Sequence, residues 1–256
     1  MIESLQELVA RIPDGAMMVV PPDYAGVAIA ATRALIARGV KDLHLVASPS
    51  SGIQADLLIA AGCVKTMEAA AVTLGEFGVA PAFNAAVRNG TIRMLDSTCP
   101  AIHAALNAGE KGLPFIPLRG LIGSDVLKHR REWKVTQNPF ADKEDPVVLL
   151  PALNPDVALF HSAMADCEGN VWFGRRREVL VMAHASRKVL VTVEKVLDTC
   201  FFDREEMVAG VLPALYVDAI AVVPKGAWPL ALDEGYEADA EAQAAYAKGA
   251  LTWEMA

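Results

Sequence analysis

Short aliphatic runs alternate along this chain with alanine-rich stretches of helical period, and that alternation restricts the fold more than any other feature. "AMMVVP" (16–21) reads as a buried strand, "AGVAIAATRALIARG" (25–39) as a helix stopped by Gly39, and "KDLHLVAS" (41–48) as the next strand. Farther on, "DLLIAAG", "TMEAAAVTL", "PAFNAAVRNG" and "PAIHAALNAGEKG" read as short helices, with "TIRMLD" and "PFIPL" as strands. "GSDVLKHRREWKVTQNPFADKEDP" (123–146) is charged and proline-bearing, which suits a solvated loop or an arm. The second half adds a helix near "REVLVMAHAS", a strand "RKVLVTVEKVL" and an Ala/Glu-rich tail ending in a surface helix. The pattern predicts an α/β fold with an open, mostly parallel sheet flanked by helices. No repeat, linker or low-complexity run divides it, so residues 1–256 are expected to form a single domain.

Charge and cysteine spacing exclude several partners. Asp and Glu number 31 against 23 Lys and Arg, a net charge of -8 with no basic tract, so neither nucleic acid nor an acidic membrane surface is expected as a partner. The amino-terminal "MIESLQELVARIPDG" carries acids where a secretory signal would be basic; it reads as an amphipathic helix with Ile2, Leu5, Leu8, Val9 and Ile12 on one face. The longest apolar stretch is broken by Thr32 and Arg33, short of the ~20 residues that span a bilayer. A cytoplasmic location is the expectation. Cys63, Cys99, Cys167 and Cys200 lie too far apart for a local zinc or redox motif and read as reduced thiols, Cys99 as a buried one; the five histidines are equally scattered, so no metal is expected.

Taken in order, "DGAMMVV", "GVKDLHLV", "KGLPFIPLRGLIGSD", "WKVTQNPF", "PALNPDVALFHSAMADCEGNVWFG", "VTVEKV", "YVDAIAVVPKGAWP" and "GYEADAE" resemble the alpha subunit of a class I coenzyme A-transferase, glutaconate type. The resemblance implies the open α/β sheet of that family, with alpha and beta subunits of similar fold sharing an active site in a heterodimer or heterotetramer. It implies that a glutamate of the beta chain attacks an acyl-CoA, passes through an anhydride to a glutamyl-CoA thioester, and delivers CoA to a carboxylic acid. Coenzyme A is then a substrate, no cofactor is tightly bound, and the nucleophile is not expected in this chain. Two alternatives remain open: a hydrolase or ring-opening C–C lyase of a cyclic or keto acyl-CoA on the same scaffold, and a non-catalytic ligand-sensing chain.

The resemblance also directs attention to particular loops. After the first strand the family carries a glycine-rich turn whose amides face the thioester oxygen; here "VVPPDYAG" has Pro21 and Pro22, which donate no N–H, leaving Asp23, Tyr24 and Ala25 to supply donors. Asp23 is equally suited to cap the following helix. Ser97 ends another strand beside Asp96 and Thr98, facing substrate or capping the helix opened by Pro100. Arg119 ends "PFIPL", held between Pro117 and Gly120, where an arginine fork fits a carboxylate or a CoA phosphate, or else forms a surface or intersubunit ion pair. The "GSD" turn presents Ser124 and nearby amides to substrate or caps the next segment. Glu194 is expected to be structural, paired with an arginine such as Arg187, and His161 to be a satisfied strand-end histidine. The partner is expected to cover the strand ends bearing residues 21–26, 96–98 and 119–124.

Overall fold

A computed structural model describes residues 2–249. The chain opens with α1 (Leu5–Ala10), closed at its start by a reciprocal Ser4–Glu7 capping box. There follow β1 (Met17–Val20), α2 (Ile29–Arg38), β2 (Leu43–Ala47), β3 (Ser50–Ser51), α3 (Ile53–Ala60), β4 (Val64–Ala69), β5 (Ala71–Val72), α4 (Pro81–Asn89) and β6 (Arg93–Asp96). Helix α5 (Cys99–Glu110) leads into a separate flap of β7 (Phe115–Leu118), α6 (Val126–His129), β8 (Lys134–Gln137) and β9 (Pro146–Pro151). The chain then returns to the main sheet with β10 (Val157–Asp166), β11 (Val171–Trp172), α7 (Arg177–Ala185), β12 (Val189–Leu197), α8 (Glu205–Val208), β13 (Val211–Leu212), β14 (Ala219–Val222) and α9 (Ala240–Ala247).

The parallel strands lie in the order β6-β4-β2-β1-β10-β12-β14, extended by the antiparallel pair β11 and β13. The sheet grows in one direction from β1 and in the other from β10. Right-handed crossovers therefore place their helices on opposite faces. On one face α1 to α4 pack over Met18, Val20, Leu43, Leu45 and Met67; on the other α5 and α7 pack over Val19, Val46, Ala158 and Phe160. Alternation along each strand feeds both cores at once, which is why these strands are apolar throughout. Each fully buried Leu or Phe contributes roughly 1.5–3 kcal/mol.

Three segments depart from the sequence reading. "TMEAAAVTL", rich in helix formers, holds most of strand β4 and all of β5, because hydrogen bonding of β4 to β2 on one side and β6 on the other outweighs local propensity. "GSDVLKHRREWKVTQNPFADKEDP" is not featureless: it contains α6, and β8 pairs with β9 through Val135↔Val148 and Thr136↔Val147. "PFIPL" is a strand, but it belongs to the antiparallel flap, order β7-β9-β8, and not to the parallel sheet. Two side chains also differ: Cys99 is exposed at the start of α5, and Ile2 lies outside the apolar face of α1, exposed beside Ile220.

Candidate functional site

The sheet forks beside β10. Strand β1 pairs with β10 only at Met18↔Val157 and Val19↔Ala158, and β11 takes over the same edge at Met164 and Ala165. Strand β12 fills the other edge along the whole length, from Ala158 to Asp166. Between β1 and β11 the backbone edge of β10 at residues 160–163 is met by the loop leaving β1: the amide of His161 donates to Gly26 O at 2.7 Å. Gly26 has φ +78, and a Cβ there would overlap the His161 carbonyl, so glycine is required for both reasons. This fork is the topological switch point of the sheet, where open α/β folds place ligands.

A cleft of about 630 Å³ opens there. Tyr24 and Ala25 form one wall, Phe160 to Ala163 the floor, and Trp172 to Arg177 the other wall. The sequence "FGRRRE" turns sharply at Gly174 (φ +63) and enters α7, placing three consecutive guanidinium side chains on one wall. Arg176 Nη2 donates to Asp233 at 2.9 Å, Arg175 Nε reaches the same carboxylate at 3.4 Å, and Arg176 stacks 5.1 Å over the Tyr24 ring.

Under the cleft lies a satisfied polar chain. His161, buried, bonds Thr192 Oγ1 through Nδ1 and Glu194 Oε1 through Nε2, each at 2.8 Å. Glu194 also accepts from the amides of Lys225 (2.8 Å) and Gly226 (3.2 Å). Burial pushes the Glu194 carboxyl up, but the bonds from His161 and the two amides outweigh it and hold it below its usual range. The arginine expected to pair with Glu194 is replaced by His161; Arg187 lies 4.0 Å from Asp156 instead. The network ties β12 to the 225–236 segment, whose Tyr236 hydroxyl accepts from Ala227 at 2.9 Å and whose Asp233 holds the arginines. Burial, followed by the nearby Glu194 charge, raises the Tyr236 phenol to about 12.

The residues singled out in the sequence are distributed among three places. Tyr24 lines the cleft. Asp23 turns away from it and caps α3 rather than α2, accepting from Ile53 N at 3.1 Å across Gly52, where a Cβ would overlap the carboxylate. Burial raises the Asp23 carboxyl to about 6 against the pull of those amides, and its Oδ1 is buried without a partner among the described residues. The Ala25 amide donates to Pro22 O, whereas the Asp23, Tyr24 and Gly26 amides have no acceptor among the described residues.

Ser97, buried with an unpartnered hydroxyl, lines a smaller cavity of about 320 Å³ beneath the flap, while Thr98 caps α5 by accepting from Ala101 N at 3.3 Å. That cavity carries a buried ion pair, Arg130 Nη2 to Glu68 Oε1 at 2.6 Å, with Arg130 also bonded to Asp96 O at 2.9 Å and stacked 4.2 Å over Trp133. Arg119, Gly120 and Ser124 lie on the flap, outside both cavities. The Arg119 side chain is 67% exposed and grips Asp145 with two bonds, 2.8 and 2.5 Å; Ser124 Oγ accepts from Val126 N at 3.2 Å. Arg119 therefore ends a flap strand and not a ligand edge of the parallel sheet, because a short apolar run such as "PFIPL" looks the same in either sheet.

Relatives place this architecture. Residues 2–222 match the model of the family described as coenzyme A transferase. A 3-oxoadipate CoA-transferase subunit from Pseudomonas knackmussii is 32% identical over 92% of this chain and 83% of its own length. The Rhodococcus jostii cholesterol ring-cleaving hydrolase IpdA subunit is 30% identical over 88% of this chain and 78% of its own. An uncharacterized Archaeoglobus fulgidus protein is 34% identical over 83% of this chain, which spans only 47% of that relative. Among solved structures, a decarboxylase AibA/AibB variant superposes with TM-score 0.82 at 28% identity, covering 98% of this chain and 94% of that one. Glutaconate coenzyme A-transferase from Acidaminococcus fermentans shares the fold at TM-score 0.86 and 23% identity, covering 99% and 85%. The chain belongs to the coenzyme A transferase family.

Proposed function

We propose that this chain is the alpha subunit of a two-chain coenzyme A-transferase, which moves CoA from an acyl-CoA to a carboxylic acid through a glutamyl-CoA thioester on its partner. The observation that carries this reading is the commitment of Glu194. The strand-borne glutamate nearest the cleft holds His161 and two backbone amides, so it supports the fold and is not a free nucleophile. A glutamate supplied by a second chain at the open carboxyl edge completes the chemistry. On this chain Tyr24, Asp23 and Ser97 belong to that edge, while Arg119, Gly120 and Ser124 stand apart from it on the flap, on the surface offered to the partner.

A hydrolase or C–C lyase is the second reading. It draws on the loop after β1, where Pro21 and Pro22 donate no N–H and Ala25 N is already bonded, so that of the amides of Asp23, Tyr24 and Ala25 two are left for an oxyanion. Purifying the chain with its partner and following labelled CoA exchange between two acids separates them. Exchange, with a CoA adduct on a partner glutamate in the mass spectrum, upholds the transferase; release of free CoA without an acceptor acid upholds the second reading.

A further inference from the structure

The cysteines have no part in the chemistry above, and the fold brings two of them to one corner. Strands β10 and β12 run parallel and in register to their last pair, Asp166↔Leu197. Beyond it both chains leave the sheet over one carboxylate. Asp166 accepts from the amides of Glu168 at 3.0 Å and Asn170 at 2.8 Å on its own turn, and from the Phe201 amide at 2.9 Å on the other segment. The Cys200 thiol then donates to Glu168 Oε2 at 3.2 Å. Cys167 therefore sits between the two residues that hold the 200–201 segment, and Cys200 lies within that segment. Cys167 is exposed and Cys200 half-buried, so a dissolved reagent reaches both. Neither fills the small core at this corner, which is built from Phe201, Met207 and Val211 against Met164, Trp172 and Leu197.

We propose that Cys167 and Cys200 are a reversible disulfide site, oxidised by a low-molecular-weight disulfide and held in the reduced state by the contact of Cys200 with Glu168. The Cys167 thiolate attacks one sulfur of the small disulfide and expels the other half as a thiolate. Cys200, released from Glu168, then gives up its proton, attacks the Cys167 sulfur and expels the second half. In sum, two protein thiols lose two electrons and two protons, and one small disulfide becomes two small thiols. The bond needs Cα atoms roughly 4–7 Å apart, a span that the exposed residues 167–168 and 198–199 supply by adjusting while the paired strands stay in place. The turn Phe201–Asp203 and α8 follow at once; Glu206, Ala209 and Gly210 line the cleft, and Trp172 stands edge-on to Phe201 with centroids 6.4 Å apart. The bond thus fixes one end of a cleft wall.

The test uses the full, unsubstituted chain. It is equilibrated in buffers of varied oxidised-to-reduced glutathione ratio, alkylated, digested and mapped by mass spectrometry, beside a non-reducing gel. A peptide linking Cys167 to Cys200 within one chain, formed in the oxidising buffers and lost in the reducing ones, upholds the site. Both cysteines alkylated at every ratio, each carrying glutathione separately, or a link found only between chains would overturn it. Cys200→Ser is expected to stop the reaction halfway, with glutathione retained on Cys167; circular dichroism melting checks that the variant folds, and the result on the unsubstituted chain stands without it. Glu168→Ala is expected to lower the glutathione ratio at half-oxidation roughly 2- to 5-fold, the worth of one modest hydrogen bond to the reduced thiol. An unmoved midpoint would overturn the part given to Glu168. None of these readouts depends on CoA transfer, so failure here leaves the transferase reading untouched.

Discussion

Two segments of this chain look alike in sequence and behave differently in the fold. "PLRG" on the flap and "FGRRR" beside α7 each bring arginine to the end of a short strand next to glycine. Arg119 projects from an antiparallel flap into solvent, and its fork is filled by Asp145, whose carboxyl the Arg119 and Asn138 bonds lower to about 2. The arginines at 175–177 stand over a cleft at the switch point of the parallel sheet, with one carboxylate between two of them. A glycine-flanked arginine lines a cleft only where the sheet opens beneath it; on the flap it meets an acid in solvent.

The contrast can be broken most severely through Arg130, which fastens the flap to β4. Arg130→Ala leaves Glu68 buried with only His44 for a partner, and about 3–5 kcal/mol of stability is expected to be lost in urea unfolding. A loss below about 1 kcal/mol, the range of an exposed pair, would mean the flap is not held to the sheet by this contact. Gly26→Ala addresses the fork itself: the left-handed φ and the overlap with the His161 carbonyl are expected to cost roughly 2–4 kcal/mol in the same assay. An unstrained Ala variant would show that the loop can leave β10.

Smaller effects read the charges on either side of the fork. Glu194 titrates lower in the folded chain than in the unfolded one, so its stabilisation is present above the unfolded carboxylate range and fades as pH falls through the folded value. Asp23 is raised to about 6, so its contribution is present at low pH and is lost as pH rises from about 4 to 6. Thermal melts against pH should therefore change in opposite senses: Glu194→Gln flattens the acid limb, and Asp23→Asn gains stability relative to the parent above about pH 6. The same sign for both would contradict the two environments. Least of all, Arg119→Met is expected to leave the melting temperature unchanged, since the pair with Asp145 is exposed and surface ion pairs add little. A fall in turnover of the assembled pair in that variant would bring the flap into the site and erase the contrast.

The elements legible in the sequence carry their own local signals. Gly39 and Gly90 stop α2 and α4 in left-handed φ, Thr98 and Pro100 open α5, and a β-branched run marks β12. Where local and tertiary preferences disagree, the sequence misleads. "TMEAAA" has the composition of a helix and becomes β4 because β2 and β6, distant in sequence, pair with it on either side. Of the site, Tyr24 is legible from its place after β1. The arginine wall is not, although three consecutive arginines at a strand-to-helix turn are the available signal, because nothing local says which strand end faces a cleft. The pairing of His161 with Glu194 joins residues 33 apart in sequence, a distance no motif spans.

Period, capping and composition act over a few residues, and they suffice for the alternation of strands and helices and the parallel sheet that follows from it; the family rests instead on the resemblance of the ordered motifs. They do not say that β1 leaves β10 after two residue pairs, that Arg119 is committed to Asp145, or that residues 175–177 share one wall of a cleft. Those outcomes depend on which strand edges meet and where they part, and that is settled by packing two cores on opposite faces of one sheet.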